Sequence, residues 1–271
     1  MQDRNFRQAV IRLGTHGEDY GNWMPVSMLW LVGGLAALAA VISLLSFAVF
    51  HITALGVVFV IDALLLLALL LWITWIRRRY AFEGGGMMEQ VHQIVLSHLD
   101  FDGQGQLLDV GCGSGALSIR AALTWRAAQV VGIDYWGSAY GYGQAMCEKN
   151  AESEGVAAQC RFQHGDANRL DFPDESFDAV VSNYVYHNVM GADKQALLLE
   201  TLRVLKKGGV FAINDNMKPR AYGDMEAFAQ ELRDMGYEDV RLIDTAQEAF
   251  GSRRRAAMMM LGDSRMLAGR K

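Results

Sequence analysis

The chain has 271 residues, with 25 Lys and Arg against 30 Asp and Glu, a formal charge of −5 and three cysteines. A nucleic-acid partner is not expected, because the balance is acidic and basic clusters occur only at residues 77–79 and 253–255. Cys112, Cys147 and Cys160 cannot all pair and match no zinc spacing, so they read as free thiols of a reducing compartment, and no metal centre is expected.

Residues 1–24 form a polar and aromatic N-terminal segment. Between Val26 and Ile76 the only titratable side chains are His51 and Asp62. The run is too long for one membrane span and fits two, at about residues 25–50 and 55–76, each close to the ~20 residues that cross a hydrocarbon layer. A turn at His51, Ile52 and Thr53 separates them. Arg4, Arg7 and Arg12 precede the first span, and Arg77, Arg78 and Arg79 follow the second, whereas the turn has no Lys or Arg. The positive-inside rule then predicts a multi-pass protein of the cell membrane with both ends cytoplasmic. Trp23, Trp30, Trp72 and Trp75 suit the interface on that side. The alternative for this region is a pair of buried core helices.

The soluble remainder, residues 79–271, opens on a joint at Glu83, Gly84, Gly85 and Gly86. The apolar spacing predicts a helix over 87–99 and then an alternation. Strands are expected at 106–110, 129–133, 160–163, 177–182 and 210–213. Helices are expected between them at 116–125, 138–154 and 194–205, the last stopping at Gly208 and Gly209. A helix over 222–235 and two closing strands at 238–243 and 265–268 complete the pattern. Such an order predicts an α/β fold, a doubly wound and mostly parallel sheet with helices on both faces. Ligands in these sheets bind beyond the carboxyl ends of the strands.

The strongest chemical signal lies at the first of those ends. Leu107, Leu108, Asp109 and Val110 run into Gly111, Cys112, Gly113, Ser114 and Gly115. Glycines permit a tight turn and close ligand approach, and the following helix offers free amides. The spacing also fits a dinucleotide fingerprint, so a membrane-bound NAD(P) oxidoreductase is the rival reading. Asp109, two residues before the first glycine, argues against it. Its carboxylate would repel a pyrophosphate and suits a cofactor bearing an ammonium and a sulfonium. Asp134, ending the second strand, can accept ribose hydroxyls. Tyr135 or Trp136 can pack on a base, and Gly165, Asp166 and Ala167 follow the third strand, where an adenine edge could be read.

These segments resemble the class I S-adenosylmethionine (SAM)-dependent methyltransferases. The likeness runs over about residues 87–271 and includes Asp109 to Gly115, Asp134, Gly165 to Ala167, and the stretches 177–183 and 202–209. The membrane hairpin is no part of that family's common core. The resemblance implies a Rossmann-like, seven-stranded sheet with its last strand inserted antiparallel, and SAM as cofactor. By position it implies that Asp109, Gly111, Gly113 and Gly115, with Cys112 in the same turn, line the methionine moiety. Asp134 would hold the ribose, Asp166 and Ala167 the adenine, and Asn183 would offer a backbone carbonyl.

Methyl transfer needs in-line positioning, and a base only where the acceptor carries a proton. His187 is the first candidate for a base or orienting group, followed by Asp215 and Tyr186, since both flanking segments follow strands of the same edge. The expected partners are a small-molecule methyl acceptor and the bilayer. An apolar acceptor such as a quinone, isoprenoid or lipid, and simple anchoring beside a partner, are equal readings of the hairpin. A SAM-binding membrane protein without turnover is the non-enzyme alternative. Residues 16–23 read as an interfacial anchor more readily than as a lid over the site.

Overall fold

The computed structural model describes residues 17–82, 86–137 and 141–271. The chain divides into a helical unit, Gly21–Met87, and an α/β unit of Met88–Lys271 joined by the segment that ends at Tyr20.

The helical unit is a hairpin of α1 (Val26–Ala48) and α2 (Thr53–Tyr80), turning at His51, whose φ is 55°. At 23 and 28 residues both helices are long and apolar enough to cross a membrane. They meet through small residues: Ala39, Ser43, Ser46 and Gly56 are buried. The Ser43 hydroxyl donates to the Gly56 carbonyl at 2.9 Å, and a Cβ on Gly56 would stand 2.7 Å from the Phe47 ring. Close approach of this kind is how helices associate where no hydrophobic force separates side chain from solvent. The outer faces are leucine-rich, and Leu44 and Leu65 are each 65% exposed. At the open end the Asn22 amide donates to the Arg77 carbonyl at 2.8 Å, the Arg77 guanidinium donates to the Met24 carbonyl, and Trp23 packs edge-on to Tyr80.

The α/β unit begins with α3 (Met87–Ser97). Its elements then follow as β1 (Gln106–Val110), α4 (Ala116–Thr124), β2 (Gln129–Asp134), α5 (Gln144–Ser153) and β3 (Cys160–His164). The second half comprises β4 (Phe177–Asn183), α6 (Lys194–Arg203), β5 (Leu205–Asn216), α7 (Pro219–Tyr222) and α8 (Met225–Asp234). Then come β6 (Glu238–Ile243), α9 (Thr245–Phe250), α10 (Arg253–Met258) and β7 (Ser264–Arg270). The strands form one seven-stranded sheet in the order β3-β2-β1-β4-β5-β7-β6. All neighbours are parallel except β7, which runs antiparallel to β5 and β6. Chain order reverses between β1 and β4, so the ligand crevice of such a sheet opens at their carboxyl ends.

Apolar strand faces carry this sheet. Leu108, Val180, Phe211 and Ile213 are fully buried in one cluster with Leu198 and Leu202 of α6 and Phe228 and Leu232 of α8. The acidic caps Asp193 and Asp224 start α6 and α8 by accepting two backbone amides each.

Several expected boundaries move. The helix expected to stop at Gly208 and Gly209 ends at Arg203, and β5 starts at Leu205, because Leu205 pairs with Phe177. The register then shifts between Phe177 and Ala179, and the glycines turn within the strand rather than capping the helix. The helix expected from 138 begins at Gln144; residues 138–140 lie outside the described part. α7, α9 and α10 had no sequence signal, being four to six residues long.

Candidate active site

β1 ends in Asp109 and Val110, and the chain turns through Gly111, Gly113 and Gly115 at φ values of 76°, 58° and 83°. L-residues avoid that region, which is why glycine occupies all three positions. A Cβ on Gly111 would fall 2.2 Å from Val185, so the loop after β4 lies directly against the glycine turn. The amides of Gly111 and Cys112 both donate to the Ile133 carbonyl, which ties the turn to β2.

Asp109 sits beneath this turn, 1% exposed. Its Oδ2 accepts from the Ser118 hydroxyl at 2.6 Å, while Oδ1 is buried without a hydrogen-bond partner among the described residues. Burial pushes the carboxyl up to about 7, the Asp134 charge adds to that, and the Ser118 bond opposes it. An orphaned buried carboxylate oxygen under a glycine cradle fits a cofactor with a cationic group and disfavours a pyrophosphate.

Asp134 closes the neighbouring edge. Its Oδ2 accepts from the Gly113 amide at 2.8 Å and its Oδ1 from the Trp136 amide at 2.7 Å. Trp136 has a φ of 45° and donates its indole N–H to the Gly113 carbonyl at 2.8 Å. Tyr135 is instead 66% exposed, its ring 5.1 Å from His164. Of the two aromatics offered by the sequence, Trp136 is the one held against the glycine turn. Asp166 follows β3 on the same edge, where the Gly165 amide donates to the Asp134 carbonyl. Its Oδ1 is engaged by the amide and side chain of Asn168, so it also shapes its own turn, with Ala167 half-buried beside it. Cys112 is buried, its thiol pushed well up by burial and the neighbouring Cys147.

The opposite wall comes from β4 and β5. Asn183 is paired with Asn214 across the strands, and its side-chain oxygen accepts from the Asn214 amide at 2.8 Å. The chain then passes through Tyr184, at a φ of 58°, into a 3-10 turn (Tyr186–Asn188). Left-handed conformation at two non-glycine residues, Trp136 and Tyr184, both just past strand tips, is the backbone strain that functional sites tend to hold. The His187 ring meets Asp215 with Nδ1 2.5 Å from Oδ1, and the His187 amide donates to Oδ2 at 3.1 Å. Asp215 is fully buried and also accepts from the Asn216 amide at 2.6 Å, so its charge is well hydrogen-bonded. The His187 side chain is 34% exposed. Nδ1 is therefore occupied, and Nε2 is the nitrogen left to meet an acceptor.

Tyr186 corrects the expectation placed on it. It is fully buried, and its hydroxyl bonds Thr201 on α6 at 2.7 Å, so it fastens the turn to the core instead of meeting substrate. The supporting groups Ser118, Asn150 and Thr245 were missed. Thr245 donates to Asn214 at 2.7 Å and lies 2.8 Å from Ser264, which in turn meets the Tyr184 hydroxyl at 2.7 Å. Nothing in their local sequence marks them; they converge only when distant strands do.

Residues 108–213 match the family model for the methyltransferase domain. Among curated proteins, the chain is 35% identical over 117 residues to sterol 24-C-methyltransferase erg6 of Aspergillus fumigatus, covering 43% of this chain and 29% of that one. It is 33% identical over 131 residues to fatty-acid O-methyltransferase of Mycolicibacterium smegmatis, covering 48% and 43%. It is 31% identical over 134 residues to the ubiquinone/menaquinone biosynthesis C-methyltransferase UbiE of Desulfotalea psychrophila, covering 49% and 50%. The chain thus spans half or less of the length of these relatives. Geranyl diphosphate methyltransferase in complex with SAM shares the fold at a TM-score of 0.55 and 14% identity, over 72% of this chain and 90% of that one. The [4+2]-cyclase SpnF does so at 0.54 and 21%, over 72% and 84%, so the fold alone does not name a reaction. What the chain has in common with these proteins is a methyltransferase-like segment at residues 108–213, set in the seven-stranded mixed sheet of that fold.

Proposed function

We propose that this chain is a membrane-anchored, SAM-dependent methyltransferase acting on a small molecule. The observation that carries the reading is Asp109, whose one buried oxygen without a partner among the described residues lies under the glycine turn and calls for a cation. An ammonium group satisfies it, and a pyrophosphate would be repelled, which disfavours the NAD(P) reading. Bound SAM supplies an electrophilic methyl group on a sulfonium. Asp109 and the turn from Gly111 to Gly115 hold the methionine end, Asp134 the ribose, and Asp166 with Ala167 the adenine. Tyr135 and Trp136 flank that end, and Asn183 contributes its carbonyl.

His187 takes a proton from the acceptor on Nε2. Asp215 fixes the tautomer through Nδ1 and stabilises the imidazolium once it forms, the role a buried carboxylate plays behind a general base. The acceptor then carries an ionisable proton, as a phenol, enol or carboxylic acid does. The names of the relatives include a sterol, a fatty acid and quinones, which supports an apolar acceptor delivered from the bilayer. α1 and α2 span that bilayer, with both termini and the α/β unit cytoplasmic. Calorimetry of the detergent-solubilised full chain tests the cofactor: S-adenosylhomocysteine (SAH) should bind and NADH should not. Native membranes given methyl-labelled SAM should then yield a labelled apolar product by mass spectrometry. Binding of NADH alone would reverse the assignment.

A further inference from the structure

One face of α5 supports the glycine turn from behind. The Cys147 thiol donates to the Gly113 carbonyl at 3.2 Å, and one turn on, the Asn150 side-chain amide donates to the Ser114 carbonyl at 3.1 Å. Asn150 is 2% exposed. Its amide does more than hold the turn. Oδ1 accepts from the Asp19 backbone amide at 3.1 Å, and Nδ2 donates to the Asp19 carbonyl at 2.8 Å. A single side chain thus pairs both main-chain groups of Asp19 as a neighbouring strand would. At the C-cap of the same helix, four residues on, Glu154 accepts from the Tyr20 hydroxyl at 3.2 Å, and Tyr20 is 3% exposed. Gly17 to Tyr20 are therefore seated on the α/β unit, in the residues that immediately precede Gly21 and the apolar hairpin.

We propose that Asn150 is a positioning residue for the cofactor, which couples seating of residues 17–20 to the Ser114 carbonyl and hence to the glycine turn. The inference rests on the reading that this turn binds SAM. Its physical basis is shared hydrogen bonding. Nδ2 has two protons, one for Ser114 and one for Asp19, so neither partner can shift without disturbing the other. A turn held at Ser114 keeps its amides in the geometry the ligand needs. By linkage, a ligand that orders the turn must tighten the seating of Asp19 by the same factor. The segment leading to the membrane hairpin then sets cofactor affinity.

The test uses the full chain in detergent, with SAH as the probe. Asn150→Asp keeps the size and the acceptor but loses both donated bonds, and should weaken SAH at least tenfold with kcat at saturating SAM within twofold. Tyr20→Ala, which leaves Asn150 in place, should weaken SAH in the same direction. A merely structural contact predicts lowered Tm without these affinity changes. Hydrogen exchange supplies a reading that needs no variant: SAH should slow exchange at the Asp19 amide of the wild type. If the wild type binds SAH but exchange at Asp19 does not change, the coupling is wrong. Wild-type affinity in Asn150→Asp would equally overturn it. Failure of the wild type to bind SAH at all would instead remove the cofactor reading on which the inference stands.

Discussion

Two side-chain pairs carry opposite burdens at the carboxyl edge of the sheet. Asp215 is buried but receives three hydrogen bonds, whereas Asp109 is buried with one oxygen unpartnered among the described residues. Burial pushes the Asp109 carboxyl up to about 7, from an ordinary value of 3.8. Between roughly pH 4 and 7 the folded chain keeps a proton that the unfolded chain has lost, so this group's contribution to stability falls as pH rises and levels off above 7. Affinity for a cationic ligand has the opposite sign, because only the carboxylate attracts it. SAH should bind more tightly as pH rises from 6 to 8, by up to about tenfold per unit below the midpoint, and Asp109→Asn should flatten that profile in calorimetry. At the other pair, His187→Ala and Asp215→Asn should each lower turnover by roughly 10²- to 10⁴-fold with SAH affinity within twofold of wild type. Full turnover in His187→Ala would remove the proposed base. Tyr186→Phe should lower thermal stability modestly and leave kcat alone, since its hydroxyl serves Thr201.

At the scale of elements, the glycine turn and the segment after β4 are one device. Val185 occupies the space that a side chain at position 111 would need. Gly111→Ala adds a methyl there and also forces an L-residue to a φ of 76°, a conformation costing about 1–2 kcal/mol. The variant should displace the 3-10 turn that carries His187, so both SAH affinity and kcat should fall, in contrast to the kcat-only loss of His187→Ala. Steady-state kinetics with separate determination of the two constants distinguishes them. Much of this element pattern was readable from residue spacing: each of the seven strands, and each helix of eight or more residues in the α/β unit, overlaps a segment expected from the sequence, with some ends shifted. The start of β5 was not readable. Gly208 and Gly209 look like a helix stop, but pairing of Leu205 with Phe177 overrides that local preference.

For the whole molecule, the hairpin separates two chemistries. Its helices expose leucines over most of their outer surface, and Arg77, Arg78 and Arg79 close α2. The proposed topology puts the turn at His51 and Ile52 outside the cell membrane. A cysteine at position 52 should be labelled by an impermeant maleimide on intact cells, while one at the C-terminal Lys271 should react only after permeabilisation. The protein should leave the membrane with detergent and not with high salt. Labelling at position 271 from outside would reverse the orientation.

Periodicity, the run of uncharged residues and the glycine spacing were enough to read an apolar hairpin, an alternating α/β unit and the positions of Asp109, Asp134 and His187. These signals are local, since a helix face, a strand face and a glycine turn are each written within a few consecutive residues. Convergence is not local. That His187 meets Asp215, that Tyr186 turns into the core, and that Asn150 joins Asp19 to Ser114 depends on contacts between segments 15 to 131 residues apart. Side chains of ordinary polar type gain these roles only from burial, which removes water as the competing partner and leaves each donor to the acceptor the sheet brings beside it.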